Sequence, residues 1–184
     1  AAERGLPNMK NTPESVRAWT DKDTIAMFVK YGVLTAEEID SRYNVRIERY
    51  VKGIDIEART LLLMVKTMVI PDASEYQGDL ASSFNNLVAA ADSIGLSEGA
   101  FMSQAGHLKT LAEDLSKLID LTAILEATIE EMEEQESELD KADFCAARLL
   151  PCMNAIREVA DKIEGQVDRS RWQLPTYSEM LFEH

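Results

Sequence analysis

The chain holds few residues able to do chemistry, and their spacing argues against most of it. It has two histidines, His107 and His184. A serine or cysteine nucleophile needs a histidine within hydrogen-bond reach to take its proton, and no Ser/His/Asp or Cys/His set can be assembled from these two. A carboxylate-bridged metal pair in a helical bundle needs Glu-x-x-His on two helices, but Gln104 stands three residues before His107. The two cysteines, Cys145 and Cys152, form a C-x6-C pair with no histidine nearby, which is no zinc spacing. On a helix they lie two turns apart, roughly 10 Å, whereas a disulfide needs Cα atoms within about 7 Å. They are expected as reduced core thiols, as in a reducing cytosol.

Three charged or glycine-rich features remain. Lys52, Arg59 and Lys66 stand seven apart in one stripe; a salt-bridged helix surface is expected there rather than an anion site. The run Glu130-Glu131-Met132-Glu133-Glu134-Gln135-Glu136 could attract Mg²⁺ weakly, but a solvated helix end is the better reading. Gly95-Leu-Ser-Glu-Gly99 lacks the Gly-Lys-Ser/Thr and the preceding strand of a phosphate loop. Met64, Met68, Met132 and Met153 fit apolar seams as core fillers, and Trp19 and Trp172 are expected to pin terminal segments. No catalytic, cofactor-binding or metal-ligating residue is assigned.

The elements that would position such residues read as helices throughout. Thr12-Pro13-Glu14-Ser15 looks like an N-cap followed by proline at the first helical position. A second helix starts at Asp21 and ends at Gly32, which supplies a left-handed cap. Thr35-Ala36-Glu37-Glu38 is a capping box. Beyond it Ile47, Val51, Ile54, Ala58, Leu61, Val65 and Met68 recur at alternating spacings of 4 and 3, the seam of a helix packed at low angle on other helices. Pro71 is expected to break or kink that helix. The pattern resumes at Ala73, Tyr76, Leu80, Ser83, Leu87, Ala90 and Ile94, and Gly95 ends it. Ser97 is expected to cap a helix reaching about residue 136, with Leu108, Leu111, Leu115, Leu118, Thr122, Leu125, Ile129 and Met132 as its seam. A last long helix spans roughly 140–165, with Ala142, Cys145, Leu149, Cys152, Ile156, Val159 and Ile163 on one face and a kink expected at Pro151.

The fold class is therefore all-α: three to four long antiparallel helices in a bundle, with short terminal helices. Residues 1–34 form a leading segment with short helices, 35–166 the bundle and 167–184 a C-terminal strap. Composition agrees. The 184 residues are 46% apolar with only 8 glycines and 5 prolines, too few turns for an all-β chain. Net charge is −14, so nucleic acid and anionic membrane surfaces are excluded as partners. The acidity is local: residues 71–140 carry 16 acidic and 2 basic groups. The longest apolar run, Leu61 to Val65, is far short of the roughly 20 residues of a membrane span. The opening Ala1-Ala2-Glu3-Arg4 lacks an initiator methionine, and a piece of a longer, cytoplasmic polypeptide is expected. On these grounds alone, a free-standing helical interaction or adaptor module without enzymatic activity is the competing reading.

Four stretches point further. They are Arg4-Gly-Leu-Pro-Asn-Met-Lys-Asn-Thr-Pro13; Lys30-Tyr-Gly-Val-Leu-Thr-Ala-Glu-Glu38 running on to Arg49-Tyr-Val-Lys-Gly-Ile-Asp-Ile-Glu-Ala58; Met68-Val-Ile-Pro-Asp-Ala-Ser-Glu-Tyr-Gln-Gly-Asp-Leu-Ala81; and Trp172-Gln-Leu-Pro-Thr-Tyr-Ser-Glu-Met-Leu-Phe182. In this order they resemble the C-terminal region of type III glutamine synthetases, most weakly between about 95 and 165. The resemblance implies a parent enzyme that joins ammonia to glutamate with ATP and Mg²⁺ or Mn²⁺. It implies a catalytic domain upstream of Ala1, so that no catalytic residue, and neither ATP nor metal, belongs to this chain. It also implies a homo-oligomer of two stacked six-membered rings, in which this region serves assembly or binds a regulator protein.

Overall fold

The computed structural model describes residues 2–175 and 177–181, except for the side chains of residues 2, 92, 98, 177 and 178. His184 and Phe182 lie outside the described residues, as does Thr176. All regular structure among the described residues is helical: α1 Thr12–Arg17, α2 Lys22–Lys30, α3 Ala36–Met64, α4 Ile70–Ile94, α5 Met102–Glu133, α6 Glu138–Phe144, α7 Leu150–Glu164 and α8 Tyr177–Leu181. Short 3₁₀ turns occupy Ala2–Arg4, Ala18–Thr20 and Glu98–Ala100. The all-α expectation holds.

Local chemistry sets the helix ends. Asn11 rather than Thr12 caps α1: its side chain accepts from the Glu14 amide at 2.9 Å, and Pro13 follows in the first turn. The Asp21 carboxylate caps α2 through the Asp23 and Thr24 amides. The capping box forms as read, with the Glu38 amide donating to Thr35 Oγ1 at 3.2 Å and the Thr35 amide to Glu38 Oε2 at 2.8 Å. Gly32 and Gly95 take positive φ, 65° and 67°, a backbone conformation strained for any residue with a side chain. Ser97 does not open α5 directly. Its carbonyl accepts from Ala100 in the 3₁₀ turn, and α5 begins at Met102. That helix ends at Glu133, and Ser137 caps α6 through the Asp140 amide at 3.1 Å.

Neither interior proline ends its helix. A five-residue π-turn, Val65–Val69, joins α3 to α4, and a second, Cys145–Leu149, joins α6 to α7. Each stands in the same relation to a proline, whose position is six residues after the turn's first residue: Val65 to Pro71, Cys145 to Pro151. A helical proline lacks the N–H for the carbonyl four residues back, and its ring collides with it. The widened turn shifts the bonding instead: the amide of Ile70 donates to Val65, and that of Leu150 to Cys145. The extra residue also changes the seam. Val65, Val69 and Ala73 are buried at 4,4 spacing, so Val69 takes the place expected for half-buried Met68.

The chain divides into two compact units. The first takes in residues 1–59 and 127–151. Its core comprises Val16, Ile39, Ile47, Val51, Ala58, Ile129, Met132, Ala142, Cys145 and Leu149. Here α5 and α6 form a short-linked hairpin, across which Arg148 reaches Glu131 at 3.8 Å. The second takes in residues 60–126 and 152–184. Its core holds Val65, Val69, Ala73, Leu111, Leu115, Leu118, Leu125, Ile156, Val159, Ile163 and Trp172. The seams expected along α5 and from α6 through α7 are these buried positions, except that Leu108 and Cys152 are half-buried. On α4 the seam fades, since Ser83 and Ile94 are exposed.

Candidate functional site

The residues singled out for chemistry are dispersed. His107 lies exposed on α5, and its side chain makes no hydrogen bond or ion pair among the described residues. Cys145 is fully buried and reduced, and Cys152 is half-buried and reduced. Burial, then the charges of Asp55 and Glu138, push the Cys145 thiol up to about 11, which makes it a poor nucleophile near neutrality. Among the described residues no group of three or more His, Cys, Asp or Glu side chains could hold a metal ion.

The basic stripe is neutralised. Lys52 donates to Glu48 at 2.5 Å. That bond raises the lysine's pKa and lowers the glutamate's. Arg59 pairs with Asp55 at 2.8 Å and with Glu133, and Lys66 with Glu126 at 2.7 Å. The glutamate run is only partly used: Glu131 faces Arg148 and Glu133 faces Arg59. Glu130, Glu134 and Glu136 have no cation within ion-pair distance among the described residues.

In the second unit, the third and fourth sequence stretches meet. Asp72, on the first turn of α4, is 6% exposed. Its carboxylate accepts from the Gln173 amide at 2.9 Å and from Gln173 Nε2 at 2.6 Å. Arg171 pairs with Glu75 at 2.9 Å and with Asp79. Arg169 donates to the Trp172 carbonyl at 2.7 Å and pairs with Glu179. Trp172 is buried. Residues 171–173 of the strap thus fold back on their own unit, whereas Met180 and Leu181 on α8 stay exposed; Glu75, Asp72 and Asp79 account for some of the local acidity.

A different kind of site lies on the first unit, on the outer face of α3. Arg42, Val45, Arg49, Lys52 and Ile56 recur at 3,4,3,4 spacing, a second seam on the side away from Ile47, Val51 and Ala58. Val45 is 59% and Ile56 64% exposed. Between them lies a depression of about 410 Å³ lined by Val45, Glu48, Arg49, Lys52, Gly53 and Ile56. Beside it a groove of about 520 Å³ runs from Thr12 and Val16 on α1 to Arg46, Arg49, Tyr50 and Ile54 on α3. Arg46 stacks on Trp19, 4.6 Å from the ring centre. Burial raises the pKa of Tyr50, with smaller contributions from Cys145, Asp143 and Glu57. Leu6, Met9, Met27, Val29, Tyr31 and Val33, from the leading segment and α2, are exposed as well. Such a surface offers a partner apolar side chains, guanidinium groups and a helix face. The spacing of this outer seam was open to view in the sequence, but the stronger inner seam of the same helix obscured it.

Comparison with known proteins identifies the chain. The family model for the glutamine synthetase C-terminal domain matches residues 1–88. The type-3 glutamine synthetase of Dictyostelium discoideum is 32% identical over 185 residues, covering 99% of this chain and 25% of that protein. The glutamine synthetase of Butyrivibrio fibrisolvens is 31% identical with the same coverage, and that of Bacteroides fragilis strain YCH46 27% identical. The chain spans about a quarter of the length of these relatives, and their similarity extends through residues 95–165, where the sequence motifs were weakest. Among the described residues no helix is long and apolar enough to cross a membrane. The chain belongs to the type III glutamine synthetases, as their C-terminal region.

Proposed function

We propose that this chain is the non-catalytic C-terminal part of a cytoplasmic, ATP-dependent ligase that joins ammonia to glutamate, and that it serves assembly of the enzyme. The supporting observation is one of proportion. Almost the whole chain aligns with one quarter of each relative, leaving three quarters for an ATP site and its Mg²⁺ or Mn²⁺. The residues of this quarter are arranged for packing and surface contact: closed ion pairs, a strap latched at Asp72 with Trp172 buried, and an exposed second seam on α3. A homo-oligomer, two stacked six-membered rings in the family pattern, is the assembly such a face would serve.

The test uses the full-length polypeptide from the source gene. Ligase activity is followed by γ-glutamyl hydroxamate formation and mass by light scattering, for the intact enzyme and for one ending before Ala1. The intact enzyme is expected to be active and oligomeric, and the truncated one to lose mass. An unchanged mass after truncation overturns the assembly role. A full-length protein without ligase activity, or a gene whose start codon immediately precedes Ala1, overturns the enzyme reading in favour of a free-standing adaptor.

A further inference from the structure

We infer that the outer seam of α3 is a contact between two copies of this chain, docking on the acidic end of α5 in the second copy. The inference rests on the assembly reading above and names the contact. Three observations within the first unit carry it.

The first is charge left over inside one copy. Arg42 and Arg49 have no carboxylate within ion-pair distance among the described residues, although the chain carries 33 acidic residues. The helix itself denies Arg49 a partner, because the positions three and four away are Arg46, Lys52, Val45 and Gly53. Glu130 and Glu134 are left over in the same way. They sit one turn apart at the end of α5, where the Glu134 amide still donates to the Glu130 carbonyl at 3.3 Å. These charges do not pair with one another within one copy among the described residues. The neighbouring Glu133 is held by Arg59, ten residues or about 15 Å along α3 from Arg49. That exceeds the screening length of about 8 Å at physiological salt. Two copies set antiparallel bring each basic stretch to the other's acidic end.

The second is Gly53. Glycine inside a helix is destabilising, and no contact in this chain requires it: a Cβ built there meets nothing within 4 Å. Its absent side chain is the floor of the 410 Å³ depression, which lets another helix approach closely. The third is the pattern of the face. Arg42, Val45, Arg49, Lys52 and Ile56 keep the spacing of a helix-packing seam, yet Val45 is 59% and Ile56 64% exposed. The end of α5 offers Ala127, Glu130 and Glu134, at matching 3,4 spacing and all exposed.

The test is the mass of the 184-residue chain by light scattering and sedimentation at up to about 100 µM. It compares the parent, Arg42→Glu/Arg49→Glu, Glu130→Lys/Glu134→Lys and Gly53→Ala. Arg46 stays in place because it stacks on Trp19. The parent is expected to dimerise at low salt and to weaken as the screening length falls from about 10 Å at 0.1 M to about 3 Å at 1 M. Each charge-reversed variant is expected to dissociate about 30-fold more readily, and their equimolar mixture to associate more tightly than either alone. Gly53→Ala is expected to melt higher yet associate more weakly, a combination that loss of folding cannot produce. A parent that stays monomeric, a dimer untouched by both reversals, or a mixture that fails to recover overturns the contact. If the contact fails while truncation of the full-length enzyme still lowers its mass, the assembly role stands on another face. A dimer with the expected swaps but no effect of truncation sinks the assembly role alone.

Discussion

Substituting Asp72→Ala tests how the strap is held. The carboxylate is nearly out of solvent and accepts two hydrogen bonds from Gln173, one from its amide and one from its side chain. Hydrogen bonds to an ionised acceptor contribute about 1.5–3 kcal/mol each, offset by the cost of taking the carboxylate out of water. Gln173 is itself exposed, so water can satisfy its amide once the acceptor is gone. The net loss should be about 2 kcal/mol, against about 1 kcal/mol for Asp72→Asn, which keeps one acceptor. For a chain of this size, a loss of about 2 kcal/mol lowers Tm by about 4–8 °C. The companion Asp79→Ala, which breaks an exposed pair with Arg171, should cost under about 0.5 kcal/mol. The readout is the emission of Trp172, isolated in a Trp19→Phe background. The buried indole emits in the blue, and Asp72→Ala should bring its red shift to lower temperature, separately from helix melting by circular dichroism. A midpoint and emission unchanged within about 0.5 kcal/mol would refute the latch and leave Asp72 a carboxylate buried to no purpose.

Other expectations come from the two cores and the face. Leu118→Ala, at a fully buried position in the second unit, should cost about 3–4 kcal/mol in chemical denaturation. Ile119→Ala, next door and exposed, should cost under about 1 kcal/mol. Gly53→Ala should raise stability by about 0.5–1 kcal/mol, measured by thermal melting at concentrations too low for association. The Cys145 thiol, raised from 9.0 to about 11, ionises in the unfolded chain first. Its contribution is fully present below about pH 9 and lost between about 9 and about 11. Urea midpoints should therefore fall across that window. The fall should be shallower in Cys145→Ala, with Tyr50, also raised, supplying the same sign. In the folded chain at pH 8, a thiol reagent should leave Cys145 unmodified.

Much of this was legible in the residues because helix packing has a period. The buried positions of α5 from Leu111 through Met132, Thr128 excepted, and of α7 from Ile156 to Ile163 are those the 3,4 spacing picks out. Caps that rest on local hydrogen bonds, at Asp21, Thr35 and Gly32, were equally readable. The hidden features depend on contacts distant in sequence or on an irregular turn. Asp72 reads as helix surface until Gln173, one hundred and one residues on, is found beside it. Proline signals a helix end, yet at Pro71 and Pro151 the helix absorbs it by widening, and a strict 3.6-residue period has no place for that. The outer face of α3 is spelled in the same periodic code as the inner one, but its mostly charged positions mask the seam. The absence of catalytic residues carried no functional information of its own. Identity came from short, non-periodic stretches such as Trp172-Gln-Leu-Pro.

The two π-turns resemble pinned dislocations. In a crystal, an extra half-plane glides easily unless an impurity holds it. In a helix, one surplus residue can likewise sit in any turn, each placement rotating the downstream helix by about 100°. Proline serves as the impurity. Its missing N–H and bulky ring favour the wide turn just upstream, at Val65–Val69 and Cys145–Leu149. Replacing Pro71 or Pro151 with alanine would remove no core atom, since both prolines are exposed, but it would unpin the defect. The surplus residue could then glide, and the seam beyond it would lose a fixed phase. Order in these helices rests as much on where the irregularity is anchored as on the regular turns around it.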